Sequence, residues 1–168
     1  LSRHDLPLPL AMRLYRRYGL DAMEAVRANP YLLVDESYGV DFRQMDEIAL
    51  GMGFEGDSGR RLEAAVLYEL SYNAGNDHVL LPRDKLLAAT CALLRVEGAE
   101  EADIIEKALD SLIARRAVVS GAVGKVEACY LWRLWEAETY VAQRLKAMLS
   151  FPADRGRNVE ALISRIER

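Results

Sequence analysis

A chain of 168 residues with 51% hydrophobic and 29% charged residues can bury a core, which argues against a disordered chain and predicts one compact domain or two small ones. The formal net charge of −4 excludes a uniformly basic, DNA-coating surface, so any phosphate-binding face has to be local. No apolar run approaches the roughly 20 residues that span a bilayer, and Leu1-Ser2-Arg3-His4-Asp5 is no signal peptide, so a soluble, cytoplasmic protein without a membrane partner is expected.

In chain order, Leu10, Leu14, Tyr15 and Tyr18 recur at helical spacing and Gly19 follows as a left-handed cap, which predicts a short first helix. Asp21 is placed to cap a second helix from Ala22 to Ala28, and Asn29-Pro30 ends it, because a residue before proline is pushed out of the helical region. A third helix is predicted over Phe42 to Met52, with Met45, Ile48, Ala49 and Met52 on one face and Gly53 as its stop. A fourth runs from Ser58 to Asn73, with Leu62, Val66 and Leu70 inward and Gly75 beyond it. The first and third helices superpose at an offset of 34, pairing Gly19 with Gly53, Leu14 with Ile48 and Tyr18 with Met52. An internal duplication and a chance likeness of two glycine-capped helices both fit.

After Asp77 the pattern changes. Val79-Leu80-Leu81 is a short apolar run, and Pro82 with Arg83-Asp84 opens a helix through Leu94, proline being favourable at a first helical position. A charged joint, Glu97 to Asp103, leads into a helix with Ile104, Ile105, Ala108, Leu109, Leu112 and Ile113 facing a core. Arg115-Arg116 close that helix at the end where cations are favoured. Ala117 to Val119, a turn across Gly121 to Gly124, and Val126 to Leu131 read as a β-hairpin. Strand, helix, helix, hairpin is the order of a winged-helix unit. Trp132 to Leu149 returns to helix, Phe151-Pro152 breaks it, and a last helix begins near Arg157. The expected fold is mainly α: a tandem helix-hairpin-helix bundle over 1–76, a winged-helix-like segment with a small β-hairpin over 77–131, and C-terminal helices over 132–168.

Few residues carry chemistry. Gly121-Ala122-Val123-Gly124-Lys125-Val126 fails as a phosphate loop, which needs GxxxxGK[ST], because the glycines are too close and Val126 has no hydroxyl. Cys91 and Cys129 stand far apart without a histidine pair, so buried apolar thiols are expected, with neither a zinc site nor a disulfide. His4 and His78 are isolated, and the carboxylates from Glu97 to Asp103 read as a solvated helix start, so no catalytic or metal residue is assigned. Tyr38-Gly39-Val40-Asp41-Phe42 is the informative stretch. A helix-hairpin-helix turn of pattern h-G-h-G turns backbone N–H groups and a helix N-terminus toward a phosphate, and Gly39 fits its first glycine.

Leu14-Tyr-Arg-Arg-Tyr-Gly19, Asp21 to Val26, Asn29-Pro-Tyr-Leu32, Tyr38 to Phe42, Asp46-Glu-Ile-Ala49 and Leu80-Leu-Pro-Arg83 together resemble the N-terminal helix-hairpin-helix region of the long, stand-alone RecD-like helicases. The match runs in register from about Leu6 to Leu87 and more loosely to about Leu149. The resemblance implies an ATP-dependent helicase moving 5′ to 3′ on single-stranded DNA in recombination or repair. Its ATP and magnesium would belong to motor domains C-terminal to this region, so no cofactor is expected within these residues. A start at Leu1 and an end within the helical pattern of Ala161 to Arg168 fit an excised piece whose partners are DNA, bound without sequence preference, and its own motor.

Two departures stand out against that family. His4-Asp5-Leu6-Pro7-Leu8 replaces a first hairpin with two glycines, and Pro7 has no N–H to donate. In the second hairpin Asp41 replaces a glycine, and a carboxylate within about 4 Å of a phosphate costs on the order of 1 kcal/mol even in water. Both hairpins are therefore expected to keep the fold with weakened phosphate contacts. Candidate DNA contacts are Gly39, Val40 and Arg43 at the second hairpin, Arg13, Arg16 and Arg17 on the first helix, and Arg115, Arg116 and Lys125 around the wing. Trp132 and Trp135 could stack on bases, but their spacing beside Leu131 and Leu134 favours packing. The alternative function is a scaffold or protein-interaction module, which the acidic stretch 31–60, at −5, favours. A sequence-reading regulator is disfavoured, because Glu106, Lys107 and Asp110 on the recognition-position helix are no base-reading set.

Overall fold

The computed structural model describes residues 8–34, 38–151 and 166. The first hairpin's His4 to Pro7 and the last helix from Arg157 lie outside the described residues.

Helix α1, Leu8–Tyr18, buries Leu10 and Leu14. Tyr15 stays 60% exposed, so the inward face is narrower than the spacing predicts. Gly19, at φ 60, takes the left-handed conformation that its lack of a Cβ permits, and a single 3-10 turn, Gly19–Asp21, leads into α2, Ala22–Ala28. Asp21 does not cap α2: its backbone is at φ −83, ψ 2, not in the extended geometry a capping side chain uses, and its carboxylate accepts no capping bond. Asn29 is extended before Pro30, as expected. A second 3-10 segment, Pro30–Val34, follows; it buries Pro30, Tyr31, Leu33 and Val34. Its apolar residues are consecutive, so no periodicity foretells it.

Helix α3 spans Phe42–Gly51 and buries Phe42, Met45 and Ala49. Gly53, at φ 91, turns the chain away. Gly19 and Gly53 thus share a left-handed backbone, whereas their paired neighbours differ, Tyr18 being half-buried and Met52 exposed. Helix α4, Gly59–Gly75, has Leu62, Ala65, Val66 and Leu70 inward.

Strand β1, Leu80–Pro82, precedes α5, Arg83–Leu94, so Pro82 occupies the cap position and not the first helical one. Helix α6, Ala99–Ala114, begins earlier than expected, and the acidic joint is its first turn, where Glu100 and Glu101 complement the helix dipole. Strands β2, Val118–Val123, and β3, Val126–Leu131, form the hairpin. Its turn is the pair Gly124-Lys125, with Gly124 at φ 64, while Gly121 lies within β2 opposite Ala128. Strand β1 pairs antiparallel with β3, which gives a sheet of order β1-β3-β2. Helix α7, Trp132–Ser150, fully buries none of its residues, Trp132 and Trp135 included.

Residues through Leu134 form one compact unit. Its apolar core runs without a break from Leu14, Val26, Leu33 and Phe42 through Val66 of α4 to Leu86, Ile105, Leu109 and Cys129. Helix α4 is the element common to both halves: it packs on Pro30–Val34 and α3, and also on α5, α6, β1 and β3. Arg83 pins the second half. Its Nη2 donates to Glu106 at 3.0 Å and to Asp110 at 2.7 Å, and Glu127 of β3 lies 3.9 Å from its Nη1. The unit from Trp135 onward carries the rest of α7, on which Tyr140, Val141, Leu145 and Met148 are exposed. Among the described residues no helix is long and apolar enough to cross a membrane.

Candidate nucleic-acid interface

The second hairpin reverses the chain with Gly39 at φ 68, and the Val40 N–H donates to the Leu33 carbonyl at 3.4 Å. A Cβ at Gly39 would meet nothing within 4 Å, so the need for glycine there is conformational and not steric. Asp41 then adopts extended geometry, φ −63 and ψ 137, as the N-cap of α3. Its Oδ1 accepts from the Arg43 N–H at 2.9 Å and from the Gln44 N–H at 3.3 Å. Its Oδ2 accepts from the Tyr68 hydroxyl at 2.9 Å. These backbone donors, at the positive end of the helix dipole, are the groups that a phosphate-binding hairpin offers its ligand. Here a carboxylate of the chain itself holds them. Burial alone would raise the Asp41 carboxyl, but the bonds from Tyr68, Gln44 and Arg43 outweigh it and hold the group below the usual aspartate range. The same contact and burial push the Tyr68 hydroxyl up to about 12, burial contributing most.

Two layers beneath fix the hairpin. Phe42, only 1% exposed, lies between the Tyr31 ring, stacked at 5.9 Å, and the Tyr68 ring at 5.8 Å. Asp46, one turn further along α3, accepts from the Tyr31 hydroxyl at 2.8 Å. It also takes two bonds from Arg61 of α4, Nε at 2.7 Å and Nη2 at 2.8 Å, with the fork geometry a guanidinium offers a carboxylate. Burial first, and then Asp46, raise the Tyr31 hydroxyl well above the ordinary tyrosine range.

A groove of about 560 Å³ opens beside this assembly, between the 3-10 segment, α4 and the start of α7. Among the described residues, Arg17, Arg60, Arg115 and Arg133 line it with one carboxylate, Glu63, and Leu32, Leu67 and Tyr68 add apolar surface. Arg60 donates to the Ala28 carbonyl at the end of α2. The Arg115 Nη2 donates to Glu63 at 2.6 Å, and Glu63 also accepts from the Ser111 hydroxyl at 2.9 Å. The Arg17 guanidinium stands 5.6 Å over the Tyr18 ring. A guanidinium has five N–H donors, so one carboxylate does not use up Arg115.

The structure thus brings together two of the residues singled out from the sequence, Arg17 and Arg115, and adds Arg60 and Arg133. No sequence spacing links residues 17, 60, 115 and 133, so only the fold could gather them. Arg13 and Arg16 are exposed on α1 and do not line the groove, Arg43 is exposed in the first turn of α3, Arg116 follows α6 at φ 60, and Lys125 sits at the hairpin tip. Glu106 and Asp110 of α6 are engaged by Arg83. Cys129 is fully buried at the centre of the sheet, and Cys91 is half-buried.

Residues 1–79 match the family described as the ATP-dependent RecD2 DNA helicase HHH domain. With the glycine turn at Gly39, the capped α3 and the helices that flank them, this stretch is similar to the N-terminal helix-hairpin-helix region of a RecD-like helicase.

Proposed function

We propose that the chain is a non-catalytic module that binds and positions DNA for a RecD-like 5′ to 3′ ATP-dependent helicase, holding the strand by its backbone without reading sequence. The observation that carries this reading is the helicase helix-hairpin-helix family match over residues 1–79, which falls on a folded hairpin and the helices around it. The strand-helix-helix-hairpin order with sheet order β1-β3-β2 supports a winged-helix-like second part over 77–131, after a hairpin part over 1–76. Action in recombination or repair, and docking onto a motor C-terminal to these residues, complete the proposal. ATP and magnesium would act in that motor. Gly121 to Val126 is strand, turn and strand, with no helix behind the turn to receive a nucleotide's phosphates.

Fluorescence anisotropy of the 168-residue chain with a labelled single-stranded oligonucleotide, across a salt series, tests the reading. Affinity that falls linearly in log-log form supports it, since each neutralised phosphate releases counterions. Absence of binding at low salt overturns it in favour of a rigid scaffold for protein partners. The second reading has its own observation: the N–H groups of the second hairpin are already occupied by Asp41.

A further inference from the structure

We propose that the phosphodiester backbone of a single nucleic-acid strand lies in the groove lined by Arg17, Arg60, Arg115 and Arg133, and not at the second hairpin. This rests on the DNA-binding reading and assigns the strand's path within it. In a chain of net charge −4, four guanidiniums converge on one concave surface where, among the described residues, Glu63 is the one carboxylate. Phosphate affinity is set by such local convergence and not by the charge of the whole protein. The hairpin donors, by contrast, are bonded to Asp41, and an approaching phosphate would have to displace a carboxylate that Tyr68 holds from its other oxygen.

The groove's chemistry selects a single strand. A duplex offers its grooves and phosphates on a broad cylinder, whereas an unpaired strand offers phosphates on one side and the faces of its bases on the other. Guanidiniums and the apolar side chains of Leu32, Leu67 and Tyr68 line the same groove and offer a partner to each kind of group. Tyr68 belongs to this lining and to the Asp41 cap alike, so the groove and the closed hairpin are built on one side chain.

The test pairs Arg60→Gln/Arg115→Gln with a control of equal charge change, Lys85→Gln/Lys107→Gln, whose side chains are exposed on α5 and α6 outside the groove. Arg60 and Arg115 are exposed, and the Arg115–Glu63 pair contributes little to folding, so both proteins keep the fold. Anisotropy with a labelled oligothymidylate across a salt series is the readout. The groove variant is expected to bind about tenfold more weakly, with a log-log salt slope shallower by about 0.7 for each phosphate that it no longer neutralises, while the control matches the parent. Parent-like affinity and slope in the groove variant, or equal weakening in the control, would overturn the groove assignment and leave DNA binding standing. No binding by the parent itself would overturn the reading beneath it.

Discussion

Removing the Asp41 carboxylate takes away the acceptor of the Arg43 and Gln44 N–H groups, and Asp41→Ala is expected to cost about 1 kcal/mol in urea unfolding, the ordinary worth of an N-cap. Asp41→Gly costs less, and because it uncovers the donors it is expected to tighten single-strand binding at low salt; unchanged or weaker binding would show that the hairpin is closed by more than this side chain. The folded state holds the Asp41 carboxyl below its ordinary range, so its contribution is present above the unfolded value and lost as pH falls through the folded one. The Tyr68 hydroxyl has the opposite sign: raised to about 12, it stabilises fully below the ordinary tyrosine range and is lost as pH rises through about 12. An ultraviolet tyrosinate titration should therefore show a late phase that Tyr68→Phe reduces. Cys129, whose thiol burial pushes up to about 11, is expected to resist a disulfide reagent at neutral pH and to react once denaturant is added.

Among the elements, the pair of Asp46 and Arg61 joins α3 to α4 with side chains only 13% and 11% exposed. Leaving one partner of such a pair alone is costly, so Arg61→Met is expected to lose about 3 kcal/mol by thermal or chemical unfolding. Losses within a few tenths would mean that solvent already screens the contact. Most helices were legible in the sequence, because Leu10 and Leu14, Met45 and Ala49, or Leu62, Val66 and Leu70 repeat at the helical period and glycines mark their ends. Pro30–Val34 was not, since Tyr31 to Val34 is an apolar run with no period, nor was the Asp46–Arg61 pair, whose members lie 15 positions apart. Asp21 misled for a local reason: it has the residue type of a cap, but the 3-10 turn from Gly19 sets its backbone in the wrong geometry.

For the molecule through Leu134, α4 makes two sequence regions into one cooperative structure. Val66 is fully buried in the core that both halves share, so Val66→Ala is expected to lose about 1 to 3 kcal/mol and to shift probes in both halves together. Separate transitions for a probe near Phe42 and one near Leu109 would show instead that the halves unfold independently. The candidate groove was half legible on the same account. Arg17 stood out beside Arg13 and Arg16 on a basic helix, and Arg115 beside Arg116, but Arg60 and Arg133 gain meaning only when α4 brings distant segments to one surface.

A hairpin that grips a separate phosphate loses it by dilution or by competing salt. Asp41 is covalently part of the chain, within three residues of the N–H groups it occupies, and so is present at an effective concentration that no buffer changes. The turn at Gly39 accordingly carries its own ligand, and the first N–H groups of α3 are bonded without any phosphate from outside the chain.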